Sequence, residues 1–216
     1  KIRPKSLKEF FGQEHLVGEG KPLNIAIAQK HLFSFILWGP PGSGKTTLAK
    51  IYARSLNAKL YELSAVSAGK ADIKKIVDDS PKPGLGEQPK VLFLDEIHRF
   101  NKAQQDFLLP YVETGEITLV GATTENPSFE VISPLLSRCR VFVLNELSQE
   151  EMAKIIKQTG FKLDKKATDW ICNMANGDAR QAISLLESTK ELYGTISVET
   201  LKNALQAKFL RYDKKG

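Results

Sequence analysis

Ten residues, Trp38-Gly39-Pro40-Pro41-Gly42-Ser43-Gly44-Lys45-Thr46-Thr47, carry the strongest chemical signal in the chain. They fit G-x-x-x-x-G-K-[ST] at every fixed position, the pattern of a loop that cradles the phosphates of a nucleoside triphosphate. The physical reasons are separate and agree. Glycines let successive backbone N–H groups turn toward one point and form a nest for an anion. A helix beginning near Gly44 or Lys45 adds its positive end to the same phosphates. In such a loop the Lys45 ammonium reaches the β- and γ-phosphates, and the Thr46 hydroxyl takes a place on Mg2+. Gly39, Pro40, Pro41, Gly42, Ser43, Gly44, Lys45, Thr46 and Thr47 are therefore the candidate nucleotide-binding residues.

A second signal is Val91-Leu92-Phe93-Leu94-Asp95-Glu96, four apolar residues followed by two carboxylates. Ligands of open α/β sheets bind at the C-terminal edge of the strands, which is where this acidic pair falls. Asp95 would hold Mg2+ through water, and Glu96 is placed to polarise an attacking water. A base beside the metal ligand points to hydrolysis rather than to transfer onto a second nucleotide. A third signal, Gly121-Ala122-Thr123-Thr124-Glu125-Asn126-Pro127, again follows an apolar run. A polar side chain there either hydrogen-bonds the γ-phosphate or the water, or simply caps the next segment. Arg138, in Leu136-Ser137-Arg138-Cys139-Arg140, is either a solvated charge or a finger that neutralises charge on a neighbour's triphosphate. Arg180, in Gly177-Asp178-Ala179-Arg180, is either an exposed base beside an N-cap aspartate or a fifth participant.

Strands and helices must alternate to bring these pieces together. Strands are predicted over residues 34–38, 59–63, 91–94, 117–122 and 141–144. Helices are predicted over 47–54, 71–77 and 101–113, the last kinked or ended by Pro110. Residues 80–89, rich in Pro and Gly, read as a surface loop. Alternation of this kind gives a parallel sheet covered by helices. Beyond Asn145 only helical periodicity remains, over 148–158, 164–175, 178–193 and 198–207, with Gly160, Gly177 and Gly194 at the joints. Ser148 with Glu151 forms a capping box, and Ser197 with Thr200 a weaker start. The expected fold is α/β, a P-loop NTPase core with a parallel sheet flanked by helices over 1–144. A small all-helical lid follows over 145–207.

Composition sets the bounds. The 216 residues are 42% hydrophobic and 26% charged, which suits a globular protein with a core of its own. A net charge of +6 is a mild hint of a polyanionic partner. Cys139 and Cys172 have no metal-ligand spacing and suit a reducing compartment. With no signal-peptide pattern and no membrane-length apolar run, the expected location is the cytoplasm. A start at Lys1 and the polar end over 211–216 read as a piece of a longer protein.

Taken in order, the five signals resemble the AAA+ ATPases, and specifically their clamp-loader clade. Ser137-Arg138-Cys139 resembles that clade's finger motif, and Gly177-Asp178-Ala179-Arg180 its second sensor. The strings Phe11-Gly12-Gln13-Glu14-His15-Leu16, Asp95-Glu96-Ile97-His98-Arg99-Phe100-Asn101-Lys102, Gln104-Gln105-Asp106 and Thr123-Thr124-Glu125-Asn126-Pro127-Ser128-Phe129-Glu130 are similar to the replication-associated recombination protein A (RarA/MgsA) family. Its eukaryotic relatives include the Werner-helicase-interacting ATPase. The resemblance covers the chain from Arg3 to Arg180. It implies a DNA-dependent ATPase of replication-fork maintenance and recombination, built as a homo-oligomer, a tetramer in that family.

Residue by residue, it implies that Lys45, Asp95, Glu96, Thr124, Arg138 and Arg180 carry catalysis, with ATP on the loop from Gly39 to Thr47. Thr46 and Asp95 would serve Mg2+. Thr124 would be the first sensor, with Asn126 as rival. Arg138 would act in trans, and Arg180 in cis. Gln13 and His15 would lie where the adenine is wrapped. Arg99 and Lys102 would meet DNA phosphates, and a single-strand binding protein is among the implied partners. Residues 208–216 resemble that family's junction to a C-terminal oligomerisation region. A clamp-loader subunit, a branch-migration motor and a slow nucleotide-gated scaffold are the alternatives.

Overall fold

The alternation of apolar side chains along three central strands builds a three-layer core. The structure, a computed structural model, describes residues 3–79 and 88–213, with side chains described to residue 207. The greater part of the predicted loop 80–89, residues 80–87, lies outside the described residues. Among the described residues five strands form one sheet: β1 (Phe35–Trp38), β2 (Lys59–Ser64), β3 (Lys90–Asp95), β4 (Thr118–Thr123) and β5 (Arg140–Val143). They run in the order β2-β3-β4-β1-β5, and every pair is parallel. A parallel sheet is buried on both faces, so its strands read as continuous apolar runs. Successive residues still point to opposite sides. Phe35, Leu37, Val91, Phe93, Val120 and Ala122 join one core, and Ile36, Leu92, Leu94 and Leu119 the other.

The helices of this unit are α1 (Glu14–Val17), α2 (Pro22–Ala28), α3 (Lys45–Ser55), α4 (Lys70–Asp78), α5 (Lys102–Glu113), α6 (Pro127–Glu130) and α7 (Ser133–Leu136). Leu48, Ala49, Ile51 and Tyr52 of α3 fill the first core; Ile73, Ile76, Leu108, Val112 and Leu135 of α4, α5 and α7 fill the second. The short α1 and α2 have no counterpart in the sequence reading, although Pro22 at the first turn of α2 is a start signal.

Pro110 does not end α5, which runs through it to Glu113. A proline inside a helix removes one backbone bond and crowds the preceding turn. Here Leu108 and Val112 are anchored in the core on either side of it, and Thr114 N–H bonds the Pro110 carbonyl at 3.0 Å. Burial of two large apolar side chains, worth roughly 1.5–3 kcal/mol each, offsets a cost of about 3 kcal/mol.

A second compact unit comprises the residues from Glu146 onward, grouped with Pro41–Ser43 of the loop. It holds α8 (Gln149–Gln158), α9 (Lys165–Ala175), α10 (Ala179–Tyr193) and α11 (Val198–Asp213). Its core is Met152, Ile156, Ile171, Cys172, Leu185, Leu186 and Leu201. The Ser148–Glu151 capping box is present, with bonds of 2.7 and 3.2 Å. Ser197 and Thr200 exchange equivalent bonds of 2.8 and 3.2 Å ahead of α11. That helix continues past the predicted stop at 207 to Asp213, because neither Gly nor Pro interrupts residues 198–213.

Candidate nucleotide-binding and hydrolysis site

The sheet order fixes which motifs can meet. β4 lies between β1 and β3, so the loop after β1, the carboxylates ending β3 and the threonines ending β4 come from neighbouring strands and emerge at one edge. Three signals separated in sequence are thereby brought to one place by strand pairing alone: Phe35 aligns with Val120 and Leu94 with Gly121.

The loop needs its glycines individually. Gly42 and Gly44 lie at φ 72° and 103°, in the left-handed region that favours glycine. Gly44 is also the N-cap of α3 and offers no side-chain oxygen to its first turn. The positive end of that helix, about half a unit charge, is thus turned to the loop without a capping group of its own. Lys45 Nζ donates to the carbonyls of Gly39 and Pro40 at 2.7 and 2.8 Å, curling back over the loop. Thr46 and Thr47 follow it, half-buried, in the first turn of α3. Gly39 is held for another reason: a Cβ there would stand 2.5 Å from the Leu144 carbonyl oxygen. Gly39→Ala should therefore push β1 and the segment after β5 apart and lower stability by about 1–3 kcal/mol, read from urea unfolding. Wild-type stability in that variant would show that the two segments can separate at no cost.

Asp95 and Glu96 are half-buried at the end of β3. The Ala65 N–H donates to the Asp95 carbonyl at 2.9 Å, and the Glu96 N–H to Asp95 Oδ1 at 3.1 Å. Glu96 itself sits at φ 55°, ψ 45°. A non-glycine residue held there costs about 1–2 kcal/mol, and such strain gathers at functional turns. His98, in the 3-10 turn Ile97–Arg99, places Nδ1 3.3 Å from Glu96 Oε2 and 2.9 Å from Thr123 Oγ1. Neither His98 nor Thr123 stands among the residues that the sequence assigned to chemistry. The H-R-F-N-K string contained His98, but its contact with Thr123 spans 25 residues and follows from β3–β4 pairing.

Of the two first-sensor rivals, Asn126 uses its Oδ1 to accept from the Ser128 N–H at 3.0 Å, capping α6. Thr124 is exposed, one residue beyond the buried Thr123. Gln13 makes a two-point pair with the backbone of Asn145: Nε2 to its carbonyl at 2.8 Å, and its N–H to Oε1 at 2.9 Å. His15 Nε2 lies 2.8 Å from the Val143 carbonyl oxygen. Both side chains thus lie against the end of β5, and their bonds go to backbone.

Arg138 follows α7, exposed, and donates to the Pro134 carbonyl at 2.7 Å and to Ser137 Oγ at 3.0 Å. It also pairs with Glu113. Burial pushes the neighbouring Cys139 thiol up to about 12, and its partly buried side chain packs against the second core. Arg180 is exposed in the first turn of α10, where the helix dipole disfavours a cation. Arg99 and Lys102 are exposed at the start of α5 and in the turn before it.

The donor set fits a nucleotide-bound Mg2+. Among the described residues no three His, Cys, Asp or Glu side chains gather into a metal cage. Mg2+ commonly takes only one or two protein ligands and completes its shell with phosphate oxygens and water, so a hydroxyl and a carboxylate suffice. Among the described residues no helix is long and apolar enough to cross a membrane.

The profile of the AAA family, ATPases associated with various cellular activities, matches residues 35–147, the stretch that holds every element of this edge. The chain belongs to this family. The profile of the AAA C-terminal domain matches residues 157–216. The ATPase core is similar along its whole length to the replication-associated recombination protein A of Haemophilus influenzae, 42% identical over 100% of this chain and 52% of that protein. It is 48% identical to the protein of that name from Coxiella burnetii, over 87% of this chain and 44% of the other. It is 45% identical to the ATPase WRNIP1 of Dictyostelium discoideum, over 86% of this chain and 22% of that protein. The resemblance carried by the H-R-F-N-K and T-T-E-N-P-S-F-E strings is thus borne out. The chain spans about half the length of the bacterial relatives it matches. Among solved structures, the Thermotoga maritima RuvB Holliday junction branch migration motor superposes with a TM-score of 0.75 at 29% identity, over 95% of this chain and 72% of the other.

Proposed function

We propose that this ATPase core belongs to a homo-oligomeric, DNA-stimulated switch that acts in replication-fork maintenance and recombination in the bacterial cytoplasm. The observation that supports it most is the convergence of the glycine loop, the Asp95–Glu96 pair and the threonine turn on neighbouring strands, in a chain whose relatives bear replication and recombination names. The loop from Gly39 to Thr47 would hold the triphosphate. Thr46 and Asp95 would hold Mg2+, which neutralises charge developing on the β- and γ-phosphates. Glu96 takes the proton of a water as its oxygen bonds the γ-phosphorus and the bond to the bridging oxygen breaks, giving ADP and phosphate. Thr124 orients that water or the γ-phosphate. Arg180 acts in cis from the helical unit of 145–207, and Arg138 in trans on the next subunit. Adenine contacts near Gln13 and His15 would come from backbone atoms, because the side chains are engaged at β5.

Arg99 and Lys102 would bind DNA phosphates, which gives affinity without base recognition. ATPase rate of the full-length protein with single-stranded, duplex and forked DNA tests this. Stimulation is expected, with DNA affinity falling steeply between about 50 and 200 mM salt. No stimulation by any of the three would remove DNA from the reading. The structural likeness to RuvB favours a second reading, a branch-migration motor. Processive migration of a four-way junction would establish that reading over the switch.

A further inference from the structure

The geometry points to His98 as a positioning residue for Glu96: we propose that its Nδ1–H fixes the carboxylate and ties it, through Thr123, to the threonine turn. The inference rests on reading Glu96 as the base. One ring nitrogen of His98 faces two oxygens. Nδ1 lies 3.3 Å from Glu96 Oε2 and 2.9 Å from Thr123 Oγ1. An ionised carboxylate can only accept, so a contact between it and a bare nitrogen lone pair would be repulsive. Nδ1 therefore carries the hydrogen; it donates to Thr123 Oγ1 and stands at ion-pair distance from Glu96 Oε2.

The bonding of Thr123 agrees with this tautomer independently. Its Oγ1 accepts from the Glu125 N–H at 2.9 Å and donates to the Glu125 carbonyl at 3.2 Å. With its one hydrogen directed to Glu125, the hydroxyl can only accept from His98. Its donor and both acceptor positions are then filled, as a side chain only 1% exposed requires. The other tautomer would need the same hydroxyl hydrogen for the ring, and would leave the Glu125 carbonyl without it.

The result is a continuous chain of polar contacts: the Glu96 carboxylate against His98 Nδ1–H, then hydrogen bonds from His98 to the Thr123 hydroxyl and from there to the Glu125 backbone. It joins the strand-end turn of β3 to that of β4, the two turns that carry the proposed base and the proposed first sensor. Glu96 lies in the left-handed region, so its side chain is aimed by an unusual backbone turn, and the imidazole braces it from one side. A displacement of Thr124 by a phosphate would pull on the adjacent Thr123 and, through His98, on Glu96. His98 is in this account a donor that never gives up its proton to the reaction.

Three variants of the full-length protein test this. His98→Phe keeps the ring volume and removes the donor. Its kcat should fall by about tenfold to a hundredfold, the cost of a misplaced catalytic group. ATP affinity and unfolding temperature should stay near wild type. His98→Asn offers an amide N–H close to the Nδ1 position and should recover kcat to within about fivefold of wild type, because an amide N–H can replace the ring N–H as donor. Thr123→Val should lower kcat, and combined with His98→Phe the losses should be less than multiplicative. Three outcomes overturn the proposal: wild-type kcat in His98→Phe; His98→Asn as slow as His98→Phe, which would make the imidazole a proton carrier; and loss of ATP affinity in step with kcat, which would make its role structural. Glu96→Gln separates the layers. Normal turnover there removes the base assignment itself, whereas a dead Glu96→Gln beside a normal His98→Phe removes only the role of His98.

Discussion

A Glu96→Gln protein is expected to bind ATP with near-normal affinity and to hydrolyse it about 10²–10⁴ times more slowly, the contribution of a positioned general base. The substitution is a narrow one. Glutamine keeps the length of the side chain, and its Oε1 can still lie beside His98 Nδ1–H, so the amide stays where the carboxylate was. The loop glycines, Lys45, Thr46 and Asp95 are untouched, which is why affinity should hold. What is lost is the capacity to take a proton from water, together with one negative charge beside the attacking oxygen. Asp95→Asn should behave differently, because a weakened metal ligand affects nucleotide binding and turnover together. Equilibrium titration with a fluorescent ATP analogue, followed by single-turnover phosphate release, reads the two quantities separately. Normal single-turnover release in Glu96→Gln would remove Glu96 as the base. Weakened ATP binding of the same size as the rate loss would make it a binding group.

The frame of this site was legible because its signals are local. A glycine loop between an apolar run and an amphipathic helix is contained in residues 34–54, and its strand and helix appear as β1 and α3. The acidic pair reads the same way, since four buried apolar residues precede it in β3. What escaped is set by distance in sequence. The bond between His98 and Thr123 depends on Leu94 lying opposite Gly121 in the sheet, and nothing in either motif announces that register. The Gln13 amide reaches a backbone 132 residues away, a pairing that no local pattern in the sequence announces. Pro110 misled for the converse reason. Its local cost was visible, and the buried Leu108 and Val112 that outweigh it were not. Thr123 and Thr124 are chemically identical in sequence. Only burial distinguishes the one that bonds His98 from the one left exposed at the strand end.

Arg138→Ala should leave ATP affinity unchanged and reduce turnover of the assembled protein, by about 10³-fold or more if it matches arginine fingers supplied in trans elsewhere. Within one chain the guanidinium is already engaged: it donates to the Pro134 carbonyl and Ser137 Oγ, and it pairs with Glu113. The two charged side chains of that pair are 40% and 38% exposed. An ion pair so open to solvent contributes about 1 kcal/mol at most. A neighbour's triphosphate carries several negative charges and can outcompete a single carboxylate, drawing the guanidinium off Glu113 and off its two oxygen contacts to α7 and the following turn. Glu113 would then act as a parking partner that holds Arg138 until a subunit interface forms. A mixing experiment decides between trans and cis. Lys45→Ala subunits retain a finger and lack a working loop; Arg138→Ala subunits retain the loop and lack the finger. Each alone should be nearly inactive. Mixed and reassembled, they should regain activity, because some interfaces pair an intact loop with an intact finger. Persistent inactivity in stable mixed assemblies would place Arg138 on its own subunit's nucleotide, and equal losses of ATP affinity and turnover in the single variant would do the same.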